Sequence, residues 1–245
     1  GNFEKFTVVL SDKLIQYAVL LQTVAAFFSI LILLWMYFKD YRKRRFVFER
    51  KSTAWPWWGL LIPIGILVSL AGNLLINLTN LTELSENFEQ SQKLLFSGPF
   101  VIQIIGIGMI IPICEELIYR GLIFMRMRQY CNVNLAIGLS ALLFAAFHGN
   151  VVQGIYGFAT GVLFAYVYEK YGSLKAPVLV HVSANLMSLG LSYVNPSFAD
   201  RGRVFIVGIA AAAVCLLLLW AVDGHVAARR IYLNNADAAA GAQED

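Results

Sequence analysis

The run Cys114-Glu115-Glu116-Leu117-Ile118-Tyr119-Arg120 sets three charged side chains inside sequence that is otherwise apolar, from Ile104 to Ile113 before it and from Gly121 to Met125 after it. Further on, Phe144 to His148 and His181 to Asn185 add two imidazoles and a carboxamide to equally apolar surroundings. A charge at a bilayer centre costs roughly 2.5–3.5 kcal/mol on insertion scales, so such groups face a bundle interior or a wet cavity and mark function. Peptide hydrolysis would use this set, because it needs an activated water and donors for the developing oxyanion. Glu115 can take a proton from water as general base, and His148 can position or polarise that water. His181 and Asn185 can donate hydrogen bonds to an oxyanion.

Helical spacing divides the labour. Neighbouring residues of a helix point about 100° apart, so Glu115 and Glu116 cannot do the same job. Glu116 and Arg120 stand at i,i+4 in the favourable acid-first order and read as a buried structural ion pair, which leaves Glu115 facing elsewhere for chemistry. Phe144 shares a face with His148 and reads as packing around the site; His181 shares one with Asn185. Gly154, Gly157 and Gly161 let helices approach closely. Two histidines and a glutamate could also hold zinc, with His148, His181 and Glu115 as ligands and one position open to water. No HExxH spacing is present, and the metal-free reading is favoured.

The elements that must position these groups are membrane helices. Of 245 residues, 59% are hydrophobic and only 14% charged, against about 25% charged in a soluble domain. Mean hydropathy is +0.67. A spanning helix needs about 20 mostly apolar residues. The chain therefore reads as an all-α polytopic transmembrane bundle of seven spans, near 14–38, 56–78, 99–127, 133–148, 151–168, 174–193 and 204–222. An eighth element arises if Gly121 to Tyr130 forms its own interfacial helix. Residues 1–13 precede the bundle of 14–222, whose catalytic core covers about 98–191. Residues 223–245 form a cytoplasmic tail, disordered at its end. Leu14 to Phe38 is too long for a signal-peptide core and reads as a span.

Basic residues set the orientation. Lys39, Arg42, Lys43, Arg44, Arg45, Arg50 and Lys51 crowd one loop, and Arg126, Arg128, Lys170, Lys175, Arg229 and Arg230 fall on the same side. The acidic stretch with Glu83, Glu86 and Glu89 suits the other side. This predicts the N-terminus outside and the C-terminus cytoplasmic, in a bacterial or archaeal plasma membrane or, in a eukaryote, the endoplasmic reticulum. The net charge of +4 is a topology signal and not a nucleic-acid surface. Cys114, Cys131 and Cys215 make neither a disulfide framework nor a zinc knuckle. Oligomeric state is not readable. His225 reads as solvated beyond the last span.

With its motifs in order, the chain resembles the CAAX protease and bacteriocin-processing family of intramembrane endopeptidases, which includes the Ras-converting CAAX endopeptidases. The family's paired-glutamate EExxxR stands here as Glu115 to Arg120, its FxxxH as Phe144 to His148, and its HxxxN as His181 to Asn185. The resemblance covers about Gly98 to Leu191. It implies a glutamate-type protease, formerly classed with metalloproteases, that cleaves without an acyl-enzyme. Glu115 and His148 are implied to activate water, His181 and Asn185 to stabilise the oxyanion, and Glu116 and Arg120 to support them. The implied partners are the lipid bilayer and a membrane-associated substrate, either a prenylated CAAX-type C-terminus or a hydrophobic, bacteriocin-like precursor. Readings from other classes are a proton- or ion-coupled transporter through Glu115, His148 and His181, and a non-catalytic membrane scaffold.

Overall fold

A computed structural model describes residues 2–43, 55–78, 86–194 and 201–241. Among them every regular element is a helix. They are α1 (Asn2–Lys43), α2 (Trp55–Trp58), α3 (Leu61–Leu78), α4 (Glu86–Phe96), α5 (Phe100–Tyr130), α6 (Val133–Ala146), α7 (Val151–Tyr171), α8 (Lys175–Val194) and α9 (Arg201–Gly241). Each of the seven apolar segments is helical. Four stretches have the length and composition of a membrane span: Tyr17–Asp40, Phe100–Tyr130, Val151–Tyr171 and Phe205–His225. Leu61–Leu74 and Val133–Ala146 are apolar but shorter.

The bundle is apolar outside and holds several polar side chains within its packed interior. Trp35, Leu216 and Trp220 are exposed, the last by 77%, whereas Gln103, Glu116, Arg120, Ser140 and His181 are buried. Lipid tails make that exterior comfortable, and helices then associate through close packing and internal hydrogen bonds. The chain is an integral membrane protein.

α5 is the axis of the bundle. α1, α6 and α8 pack along it and α7 touches it; α8 and α9 lie on α3, and α6 lies on α7. Small residues allow the tightest crossings. A Cβ at Gly65 would stand 2.3 Å from the Val180 carbonyl oxygen, and one at Gly161 would stand 3.0 Å from Ala141 Cα. Asn132 caps α6 by accepting from the Leu135 N–H, and Asn150 caps α7 by accepting from Gln153, a role suited to short polar side chains. Gly172, at φ 60°, ends α7 in the left-handed conformation.

At one end of the bundle three ion pairs tie helices together: Arg126 with Asp40, Arg128 with Glu169 at 3.1 Å, and Lys170 with Asp223. His225 lies at this end too, half-buried rather than free in solvent. Its ring stacks on Trp57 with centroids 4.3 Å apart.

Three further features depart from the sequence reading. Gly121 to Tyr130 does not form a separate element; it continues α5. The stretch read as an acidic loop contains α4, an amphipathic helix whose Phe88, Leu95 and Phe96 share one side. α5 is not uniform: Gly106–Ile110 and Leu117–Phe124 have the wider π-helical turn, a form often found at functional sites. Most of the basic loop after Lys43, Glu83 and the end of the tail beyond Gly241 lie outside the described residues.

Candidate active site

The wide turns of α5 flank its paired glutamates, which bracket one imidazole from α8. His181 Nδ1 donates to Glu116 Oε1 at 2.9 Å, and His181 Nε2 stands 3.6 Å from Glu115 Oε2. The two carboxylates do face apart, but the ring between them contacts both. A carboxylate only accepts, so Nδ1 carries its hydrogen and the Nε2 edge turns to Glu115.

Arg120 is fully buried and holds Glu116 from the other side. Its Nη1 donates to Glu116 Oε1 at 2.8 Å, and its Nη2 to the Gly161 carbonyl at 3.0 Å. The guanidinium also lies over the rings of Phe144 and Phe164, 4.7 and 5.2 Å from their centroids. Two aromatic faces and two acceptors let a cation sit in so dry a place. A Cβ at Gly161 would press on Ala141 and Phe144, so its absence lets α7 lie close against α6.

α6 ends at Ala146, and His148 occupies the turn that follows. His148 Nδ1 lies 2.7 Å from the Phe144 carbonyl oxygen. A carbonyl oxygen only accepts, so Nδ1 donates there, and in the neutral ring Nε2 is the acceptor. Phe144 touches the rings of both histidines edge-on, at 4.6 and 5.8 Å. Phe164 stacks on His181 at 4.5 Å. Phe164 was not picked out from sequence. Its signal was its place on the glycine face of α7, seven residues after Gly157 and three after Gly161.

Asn185 is tied to the first wide turn of α5. Ile111 N–H bonds the Gly106 carbonyl five residues back. In that register the next bond to Ile107 would come from residue 112, which is proline and has no N–H. Asn185 Nδ2 donates to the Ile107 carbonyl instead, at 2.9 Å. One amide hydrogen of Asn185 remains for other use.

A cavity of about 760 Å³ joins these groups. Glu115, His148, His181 and Asn185 line it together with Phe144 and Phe164. Glu115 is 28% exposed to it, while Glu116 and Arg120 are fully buried behind. The arrangement offers acceptors (Glu115 and His148 Nε2) and potential donors (His181 Nε2 and Asn185 Nδ2) on one space. Such a space can hold a water and a carbonyl group.

Among the described residues no three His, Cys, Asp or Glu side chains converge as a metal-binding group. Glu115, His148 and His181 share a cavity wall without forming such a set.

The bundle thus places an acid and two imidazoles on one internal cavity. Residues 97–187, which carry all three motifs, match the family model for Rce1-like type II CAAX prenyl endopeptidases. The match bears out the family resemblance and supports an intramembrane protease. No curated protein and no solved structure matches the chain.

Proposed function

We propose that the protein is an intramembrane endopeptidase that hydrolyses a peptide bond of a membrane-associated chain with a glutamate-activated water. The observation that carries the reading is the cavity shared by Glu115, His148, His181 and Asn185. Glu115 and His148 Nε2 each accept one hydrogen of the water, which aims its oxygen at the substrate carbonyl. Glu115 takes the proton as the carbon–oxygen bond forms and passes it to the departing amine. A positioned general base contributes typically 10²–10⁴-fold. Asn185 donates its second amide hydrogen to the oxyanion, joined by His181 Nε2 once that atom carries a proton. Each such donor is worth about 10²–10³ in kcat. Glu116 and Arg120 hold His181 from behind. No metal takes part in this scheme.

The substrate is a prenylated CAAX-type C-terminus or a hydrophobic precursor peptide. The ion-paired end of the bundle is assigned to the cytoplasmic side, with the N-terminus outside. The test is to offer purified wild type and Glu115→Ala, in detergent, a quenched fluorescent CAAX-type peptide and a panel of precursor peptides. Cleavage by the wild type alone is expected. Equal activity in both proteins would remove Glu115 from the mechanism, and ion flux in liposomes without any cleavage would favour a transporter.

A further inference from the structure

The cavity extends well past the groups assigned to chemistry. On α7 its wall includes Gln153, Gly157, Thr160 and Phe164, which fall on one side of a helix. Contacts fix two levels on this face. Phe164 stacks on His181 at 4.5 Å, and a Cβ at Gly157 would stand 3.4 Å from His148 Nδ1. The groups assigned to catalysis thus flank the stretch between Gly157 and Phe164. Gln153 lies one turn beyond, about 6 Å along the axis.

At that level α4 meets the start of α7, where Asn150 Nδ2 reaches Ser91 Oγ at 3.5 Å. α4 turns Phe88, Gln92, Leu95 and Phe96 to the cavity, one stripe in which Gln92 is the polar member. Asn150 Nδ2 also donates to Gln153 Oε1 at 2.7 Å, which orients that side chain and leaves Nε2 with hydrogens to offer. Among the described residues no protein group pairs with Gln153 Nε2 or with the Gln92 carboxamide. A carboxamide has one carbonyl acceptor and one N–H₂ donor, the complement of a peptide unit.

We propose that Gln153 and Gln92 form a subsite that binds substrate backbone, with Gln153 Nε2 donating to a substrate carbonyl and Gln92 Oε1 accepting a substrate N–H. This deepens the protease reading and rests on it. An extended peptide advances about 3.3 Å per residue, so one turn of α7 sets the bound peptide unit about two residues from the scissile bond. The substrate must then be extended there, and its side chain at that position matters little. Gln92 and Gln153 are substrate-binding residues and take no part in bond making.

The test is a backbone scan with the full chain purified in detergent. A quenched fluorescent CAAX-type peptide is made with one peptide N–H at a time replaced by an ester oxygen, across both sides of the scissile bond. We expect one ester, about two residues from that bond, to lower wild-type kcat/KM about tenfold through KM. The same ester should cost Gln92→Leu less than twofold, and Gln153→Leu should raise KM about tenfold with kcat within twofold. The wild-type scan needs no variant to fold. Insensitivity of the wild type to every ester overturns the subsite, as does a wild-type KM in both glutamine variants. A wild type that cleaves no peptide sinks the protease reading itself, and this inference with it.

Discussion

His181 is held on one edge by Glu116, at 2.9 Å, and presents its other edge to Glu115, at 3.6 Å. In the proposed mechanism Glu116 therefore acts as a positioning residue for the imidazole. Glu116→Gln keeps an acceptor for Nδ1 but removes the charge behind the ring. Its kcat should fall about 10²-fold, within the range of acid–base effects, with KM within twofold when assayed below its unfolding temperature. An unchanged kcat would leave Glu116 with a packing role only.

Arg120 and Glu116 are a fully buried pair. Removing one partner of such a pair costs roughly 3–5 kcal/mol, while replacing both with well-packed apolar groups is often neutral. Arg120→Met should lower the unfolding temperature in detergent steeply. The double variant Glu116→Leu with Arg120→Met should recover much of that stability and none of the activity. If the double variant is as unstable as the single one, the pair's cost is not electrostatic.

How much of this was legible in the sequence depended on contrast. Glu115, Glu116, Arg120, His148, His181 and Asn185 stand out because each is polar in an apolar run, and the helices holding them follow from length and hydropathy. α4 was hidden because its charged and amide residues masked a stripe of Phe88, Leu95 and Phe96. The wide turns of α5 leave no mark on the hydrophobic pattern; the trace of the first is Pro112, which has no N–H to offer a carbonyl behind it. Phe164 was one apolar residue among many. His225 followed a span and so read as solvated, until the stacked Trp57 gave it a partner.

Asn185 has two jobs that can be separated. Asn185→Leu strips the Ile107 carbonyl of its donor, which costs about 1–3 kcal/mol when the group is buried, and it also removes the proposed oxyanion donor. Adding Pro112→Ala supplies a backbone N–H that can take Ile107. The combined variant should regain unfolding temperature but stay about 10²-fold slow in kcat. Recovery of both properties together would make Asn185 purely structural.

The crossing of α3 and α8 depends on Gly65. A Cβ there meets the Val180 carbonyl oxygen at 2.3 Å and Ser183 Cβ at 2.8 Å. Gly65→Ala should destabilise the bundle by about 1–3 kcal/mol, as overpacking does. A Cβ at Gly138 would meet nothing within 4 Å, so Gly138→Ala should be neutral or mildly stabilising. Thermal unfolding of the two variants side by side checks the packing, and equal behaviour would contradict it.

Zinc dependence has a direct check. Dialysis against a strong chelator should leave cleavage of the CAAX-type peptide intact. Loss of cleavage that added zinc restores would replace the metal-free scheme.

In the proposed mechanism Glu115 and His148 act on one water as a unit. Groups that act so are grossly non-additive when removed. The decisive measurement is kcat/KM for Glu115→Gln, His148→Gln and the double variant on one peptide. Each single change should cost at least about 10²-fold, with the double variant no slower than the worse single one. Singles that retain wild-type rates, or losses that multiply in the double, would contradict the account.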